Sequence, residues 1–188
     1  MQVSQNIRKL TFCAVFVALI AVCAQITVPM PNGVAFTLQT FAIALCGYLL
    51  GVRWGAVAVL VYLLLGAVGA PVFSAFHGGF HILAGKTGGY LWGFLPMAAL
   101  CGLSRLGCGR VLPYLWGVPG LLLCHLFGTL QNMFLAGGGF WALLLVYSVP
   151  YLLKDFLSVA AAALLSARLR PVLDRYLNLK LEEKNSHV

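Results

Sequence analysis

The chain has 188 residues, 62% of them hydrophobic and 9% charged, with a formal net charge of +8. Soluble domains are about 25% charged, so the composition excludes a soluble globular protein and predicts one compact all-α integral membrane domain over 1–188. Nucleic acid is excluded as a partner by where the charge falls. Arg8, Lys9, Arg53, Arg105, Arg110, Arg168, Arg170, Arg175, Lys180 and Lys184 lie in alternate gaps between apolar runs or at the two ends, which marks those gaps as cytoplasmic.

A bundle of six transmembrane helices follows, with N and C termini cytoplasmic. The first span is predicted over 10–28 and stops at Pro29-Met30-Pro31-Asn32-Gly33. Arg8-Lys9 look like a signal-peptide n-region, but the long run after them lacks an A-x-A cleavage site and reads as a retained helix. Within it, Ala14 and Ala18 form a small-x-x-x-small pair that lets another helix approach closely. Packing inside the bundle and docking of a partner are both open on this pair alone.

A short second span (37–50) enters through Thr37-Leu38-Gln39-Thr40, whose polar side chains predict a polar pocket or an interfacial cap. Gly51-Val52-Arg53 reads as a tight inner turn. A third span (54–72) loosens at its outer end through Gly66-Ala67-Val68-Gly69-Ala70-Pro71. The stretch 78–94 then carries six glycines and Lys86. Glycine permits close backbone approach, and a lysine in so apolar a setting needs an anion or a path to water. This stretch therefore reads as a ligand-facing loop that leads into a fourth span (88–104).

Arg105 to Arg110 forms the next inner turn, before a fifth span (111–134). Residues 140–168 are too many for one straight crossing, at 1.5 Å each against a core of about 30 Å. The segment 140–149 is therefore expected to pack as a short outer piece, and Pro150 to open a sixth span (150–168), since proline suits a helix first turn. The tail 169–188 is polar and cytoplasmic.

Asp155 is the one carboxylate within the predicted spans, and an ionisable group there is a functional-site candidate by default. A cap near the helix N-terminus is the structural alternative. Lys86, Thr37 and Gln39 share its depth and side. Gly85-Lys86-Thr87 is not a nucleotide loop: five residues, not four, separate Gly79 from Gly85, and no strand precedes it. His77 and His81 read as loop residues without a third metal ligand, and His125 as a hydrogen-bonded bundle histidine. The six cysteines, 13, 23, 46, 101, 108 and 124, form no C-x-x-C and read as buried thiols. No metal, no cofactor and no enzymatic constellation are expected.

Several of these motifs together resemble the BioY family: Pro29-Met30-Pro31-Asn32-Gly33 with Thr37-Leu38-Gln39-Thr40, Gly66 to Phe73, Gly78-Gly79, and Thr87-Gly88-Gly89-Tyr90-Leu91-x-Gly93-Phe94. Gly128-Thr129 and Pro150 with Asp155 fit as well. The resemblance covers nearly the whole span region. It implies a biotin-binding substrate-specificity (S) component of an energy-coupling factor (ECF) transporter in a prokaryotic cell membrane, a multi-pass capture protein and not an enzyme. Its partners would be a transmembrane T component, two ATPase subunits and membrane lipid, with Ala14 and Ala18 docking the T component.

The resemblance and the residue reading together make Thr37, Gln39, Phe73, Gly79, Lys86, Thr87, Gly88, Gly89, Tyr90, Lys154 and Asp155 the expected ligand-binding set, with Lys86 and Lys154 resting on the residue reading alone. Asp155 would accept from the ureido N–H groups of biotin, Gly88 and Gly89 would allow close backbone approach, and Tyr90 would form an aromatic wall. Three positions depart from the family pattern: Ala35 replaces a usual proline, Lys86 precedes Thr87 where proline is common, and Ser158 stands where a lysine is frequent. Neighbours 154 and 155 point about 100° apart on a helix. Lys154 is therefore expected on another wall or at the interface, which leaves Lys86 to pair with the ligand carboxylate and Lys154 as second choice. Another small vitamin as ligand, a stand-alone carrier and a purely structural membrane protein are the competing readings.

Overall fold

The computed structural model describes residues 2–30, 34–106 and 112–185, with side chains for 7–30, 34–106 and 115–175. Pro31, Asn32, Gly33, Cys108 and Arg110 lie outside the described residues, as do the side chains of Lys180 and Lys184. In chain order the elements are α1 (Gln2–Gln25), β1 (Thr27–Val28), β2 (Phe36–Thr37), α2 (Gln39–Ala67), α3 (Phe80–Leu83), α4 (Gly88–Leu103), α5 (Leu112–Ala136), α6 (Phe140–Tyr147) and α7 (Val149–Asn185). A 3-10 turn, Ser74–Phe76, precedes α3.

Among the described residues, four stretches are long and apolar enough to cross a membrane: Ile7–Gln25, Gln39–Ala67, Leu115–Ala136 and Val149–Arg175. Large apolar side chains on them, including Leu64, Leu153, Leu157 and Leu164, are exposed; hydrocarbon accommodates such a surface and water does not. The chain is a helical membrane protein.

α2 is not one straight rod. Gly51 adopts φ 80° and ψ 179° inside it, a left-handed backbone that glycine reaches without strain. Beyond it the chain doubles back. Cys46 Sγ lies 3.9 Å from Gly55 O, and Gln39 Nε2 donates to Tyr62 Oη at 2.7 Å. In a continuous helix residues 39 and 62 would be about 35 Å apart. The arms 39–50 and 52–67 thus pack antiparallel, with a Cβ at Gly55 only 3.1 Å from Gly47 Cα. In lipid, where apolar contact gives no hydrophobic gain between helices, such close backbone approach supplies the packing.

α4 seats against the same arms: a Cβ at Gly47 would collide with Ala98 O, and one at Gly102 with Val52 N. Gly47→Val is accordingly expected to lower thermal stability in detergent by about 1–3 kcal/mol through overpacking, read by the shift in melting temperature. An unchanged melting temperature would mean α4 can slide away.

The interior is formed by α1, α2, α4, α5 and α7, with Ile20, Ile43, Tyr48, Val59, Met97, Leu121 and Val159 all buried. The thiols of Cys13, Cys23, Cys46, Cys101 and Cys124 are free and buried, as small apolar fillers.

Two features differ from the all-helical expectation. Thr27↔Thr37 and Val28↔Phe36 pair as a short antiparallel ribbon between α1 and α2. Backbone groups there need partners that a helix does not provide, and β-branched Thr27 and Val28 favour extended chain. At the opposite end α7 continues as helix through Pro171 to Asn185, where the sequence suggested only a polar tail. Its inner part is anchored. Arg170 Nη2 donates to Tyr48 O at 3.2 Å and to Ser104 Oγ at 3.2 Å, and Arg105 bridges Leu49 O and Asp174. The guanidinium groups thereby satisfy carbonyls left open where helices end.

Candidate functional site

A cavity of about 320 Å³ opens between α2, α4, α5 and α7, beneath β2 and the 73–77 segment. Its wall is mostly apolar, with a few polar groups that converge, as in small-molecule sites generally. The centre of these polar groups is Asp155, early in α7, with 6% of its side chain exposed. α7 starts at Val149–Pro150, where the proline needs no N–H partner. Ser148 caps this junction from the backbone, donating to Leu144 O at 3.0 Å and accepting from Tyr151 N at 3.0 Å.

Asp155 has a cationic partner and a histidine. Lys154 Nζ forms an ion pair with Oδ1, and His125 Nε2 from α5 lies 3.2 Å from Oδ2. The imidazole donates through Nε2–H, since an ionised carboxylate only accepts. Lys154 Nζ also donates to Thr37 O at 2.8 Å and sits 5.0 Å over the Phe36 ring. Two of its three N–H groups are engaged by these oxygens. The result is a cationic donor directly beside an anionic acceptor, both on the cavity wall.

Tyr90 from α4 forms the facing wall. Its hydroxyl donates to Tyr147 O at 2.8 Å and lies 3.0 Å from Ser148 Oγ, while its ring meets that of His125 edge-on at 5.7 Å. Gly128 makes room for it, since a Cβ there would run into the Tyr90 ring. Phe73, 1% exposed, closes another side and packs edge-on against Tyr62 at 5.6 Å. Tyr62 in turn fixes Gln39 and donates to Val72 O at 3.0 Å.

A family model described as the BioY family matches residues 1–175. The chain belongs to the BioY family. It is 39% identical over 164 residues to the biotin transporter BioY of Thermotoga maritima, covering 87% of this chain and 96% of that protein. Against biotin transporter BioY2 of Lactococcus lactis subsp. cremoris the identity is 37% over 131 residues, 69% of this chain and 71% of the other. A crystal structure of the S-component for biotin from an ECF-type ABC transporter matches with a TM-score of 0.83 at 24% identity, over 91% of this chain and 95% of that one. This last likeness establishes a shared fold.

In this BioY-family chain the cavity wall includes Thr37, Gln39, Phe73, Thr87, Tyr90, Lys154 and Asp155. Four other expected residues are placed elsewhere. Gly88 and Gly89 face protein, not cavity: a Cβ on Gly88 would strike Leu83 O and one on Gly89 would strike Phe127 O of α5. Their lack of a side chain serves helix packing. Gly79, at φ 108°, caps α3 and donates its N–H to Gly66 O at 2.6 Å. Lys86 is exposed and outside the wall, in the turn before α4. Gln131 of α5 holds that turn by donating to Leu83 O at 2.8 Å and Gly85 O at 2.7 Å.

Lys154 corrects the helical-wheel expectation. Adjacent Cα–Cβ bonds do diverge by about 100°, yet the four-carbon stem of lysine bends its ammonium back to the neighbouring carboxylate. His125 also does more than brace the bundle, because it reaches Asp155 across α5 and α7. Thr129, one helical turn on, donates its hydroxyl to His125 O at 2.9 Å and lies 3.1 Å from Ser148 Oγ. His77, read as a loop residue, lines the cavity. Among the described residues no cluster of metal-ligating side chains occurs.

Proposed function

We propose that this chain captures biotin in the cavity and carries it across the membrane as the S component of an ECF-type transporter, energised by ATPases on separate chains. The relatives named for biotin support the ligand. The observation that carries the reading is the Lys154–Asp155 pair on the wall. A ureido edge presents a carbonyl acceptor next to an N–H donor, and an ammonium next to a carboxylate is its complement. The bicyclic ring would then pack against Tyr90 and Phe73. Purified protein in detergent should bind labelled biotin, and unlabelled biotin should compete where other vitamins do not. Binding of a different vitamin in preference would overturn the ligand assignment.

The valerate carboxylate lies at the other end of the molecule from the ureido ring, so residues in contact with each other do not serve both ends. Lys86 is exposed and directly precedes the wall residue Thr87, and on this reading its stem turns toward the bound anion. Lys86→Met should weaken biotin by about tenfold, while a biotin amide loses little. If Lys154→Met alone shows acid-selective loss, the carboxylate belongs at α7.

The reading includes six crossings: α1, the two arms of α2, α4, α5 and α7. Arg105 and Arg170 mark the cytoplasmic end, opposite the cavity. It also includes a T component, two ATPase subunits and surrounding lipid as partners, with Ala14 and Ala18 on the exposed face of α1 for docking.

A further inference from the structure

The segment 73–77 has one side on the cavity and the other on the exterior. Phe73, Ser74, Ala75 and His77 line the wall, whereas Phe76 between them points outward and is 70% exposed. The segment is closed on itself by Phe73 N–H to His77 O at 2.9 Å and His77 N–H to Ser74 O at 3.3 Å. Its backbone is strained: Ala75 and Phe76 have φ of 56° and 58°, a region that a side chain with a Cβ enters only at a cost. Consecutive residues of this kind persist only when surrounding structure holds them there.

What holds them is Gln25, the last residue of α1. Its Nε2 donates to Phe73 O at 3.1 Å, and its Oε1 accepts from Phe76 N–H at 2.8 Å. One amide thus grips the strained turn at both ends, and a further bond from Nε2 to Ala21 O at 3.2 Å fixes it to α1.

We propose that Gln25 is a latch that holds the 73–77 segment across the cavity as a lid, so that release of the latch sets the rate at which ligand enters and leaves. Gln25 is then a positioning residue that acts through the lid and does not touch the ligand. The proposal rests on the biotin reading for its probe. Two neutral hydrogen bonds together shift an equilibrium by about tenfold, and the lid equilibrium carries that factor into both rates.

The test measures association and dissociation of labelled biotin on purified full-length protein, with amide hydrogen exchange at Phe76 and His77 in the ligand-free state. Gln25→Ala should raise both rates about tenfold, leave Kd within about threefold, and speed exchange at Phe76 by a similar factor. Gln25→Glu keeps the acceptor for Phe76 but loses the donor to Phe73, and should fall between; it decides the matter if Gln25→Ala does not fold. Unchanged rates in a folded variant would overturn the latch. So would faster dissociation with unchanged association, because that pattern belongs to a lost contact and not to a gate. If the native protein binds no biotin, the ligand reading falls, and exchange at Phe76 that stays slow in Gln25→Ala still refutes the latch.

Discussion

Asp155→Asn is expected to weaken biotin binding by about a hundredfold or more. The carboxylate is 6% exposed, and its partners Lys154 and His125 are 15% and 7% exposed. Removing one member of a buried ion pair leaves the other charge without compensation, at a cost of about 3–5 kcal/mol. Asparagine keeps the size but presents one neutral acceptor where the ligand and His125 both require a charged one, and hydrogen bonds to neutral groups are worth about half as much. Lys154 retains Thr37 O and the Phe36 ring, which limits the damage to the fold. Affinity and thermal stability measured on the same preparation separate the two roles. Unchanged affinity with a lowered melting temperature would make Asp155 a structural cap. If the pair acts as a unit, Asp155→Asn combined with Lys154→Met should be little worse than either alone, because neighbours that share one interaction are not additive.

Ala18→Trp should have the opposite profile: near-native biotin binding by the isolated protein, with ATP-driven uptake reduced to background and copurification with the T component lost. Ala14 and Ala18 are exposed on α1, whereas Cys13, Phe16, Val17 and Ile20 beside them are buried. An indole on the exposed side leaves the interior unchanged but holds a partner helix several ångströms away. Close packing between membrane helices depends on small side chains, because lipid replaces lost contacts without penalty. Copurification that survives in both Ala14→Trp and Ala18→Trp would sink the docking assignment.

On the proposed reading, ligand exchange and partner assembly use separate surfaces of one bundle. The cavity uses α2, α4, α5 and α7 for its walls, and α1 contributes through Gln25. This division makes the two sets of variants separable: one set changes affinity, the other only transport.

Membrane character was determined by the sequence alone, because hydropathy is a sum over residues and does not depend on how they meet. The order of arginines and lysines carries the expectation of which end is cytoplasmic. Asp155, as the one carboxylate within the predicted spans, and Thr37 at its depth were candidates from the residues themselves, the family match added Tyr90, and the fold gathers all three around one cavity. Only the tertiary structure decided what each neighbour does. Gly88 and Gly89 look free for a ligand in the sequence, but Leu83 of α3 and Phe127 of α5 occupy that space. Lys154 and Asp155 look divergent on a helical wheel, but the wheel describes Cβ directions and not the reach of a flexible stem. Gln39 meets Tyr62 only because Gly51 reverses α2. Gln25 meets Phe76 across 51 positions of chain. Local patterns fix composition, period and turn chemistry, whereas contacts between distant residues depend on how closely helices approach, and that is set by the packing of the whole bundle.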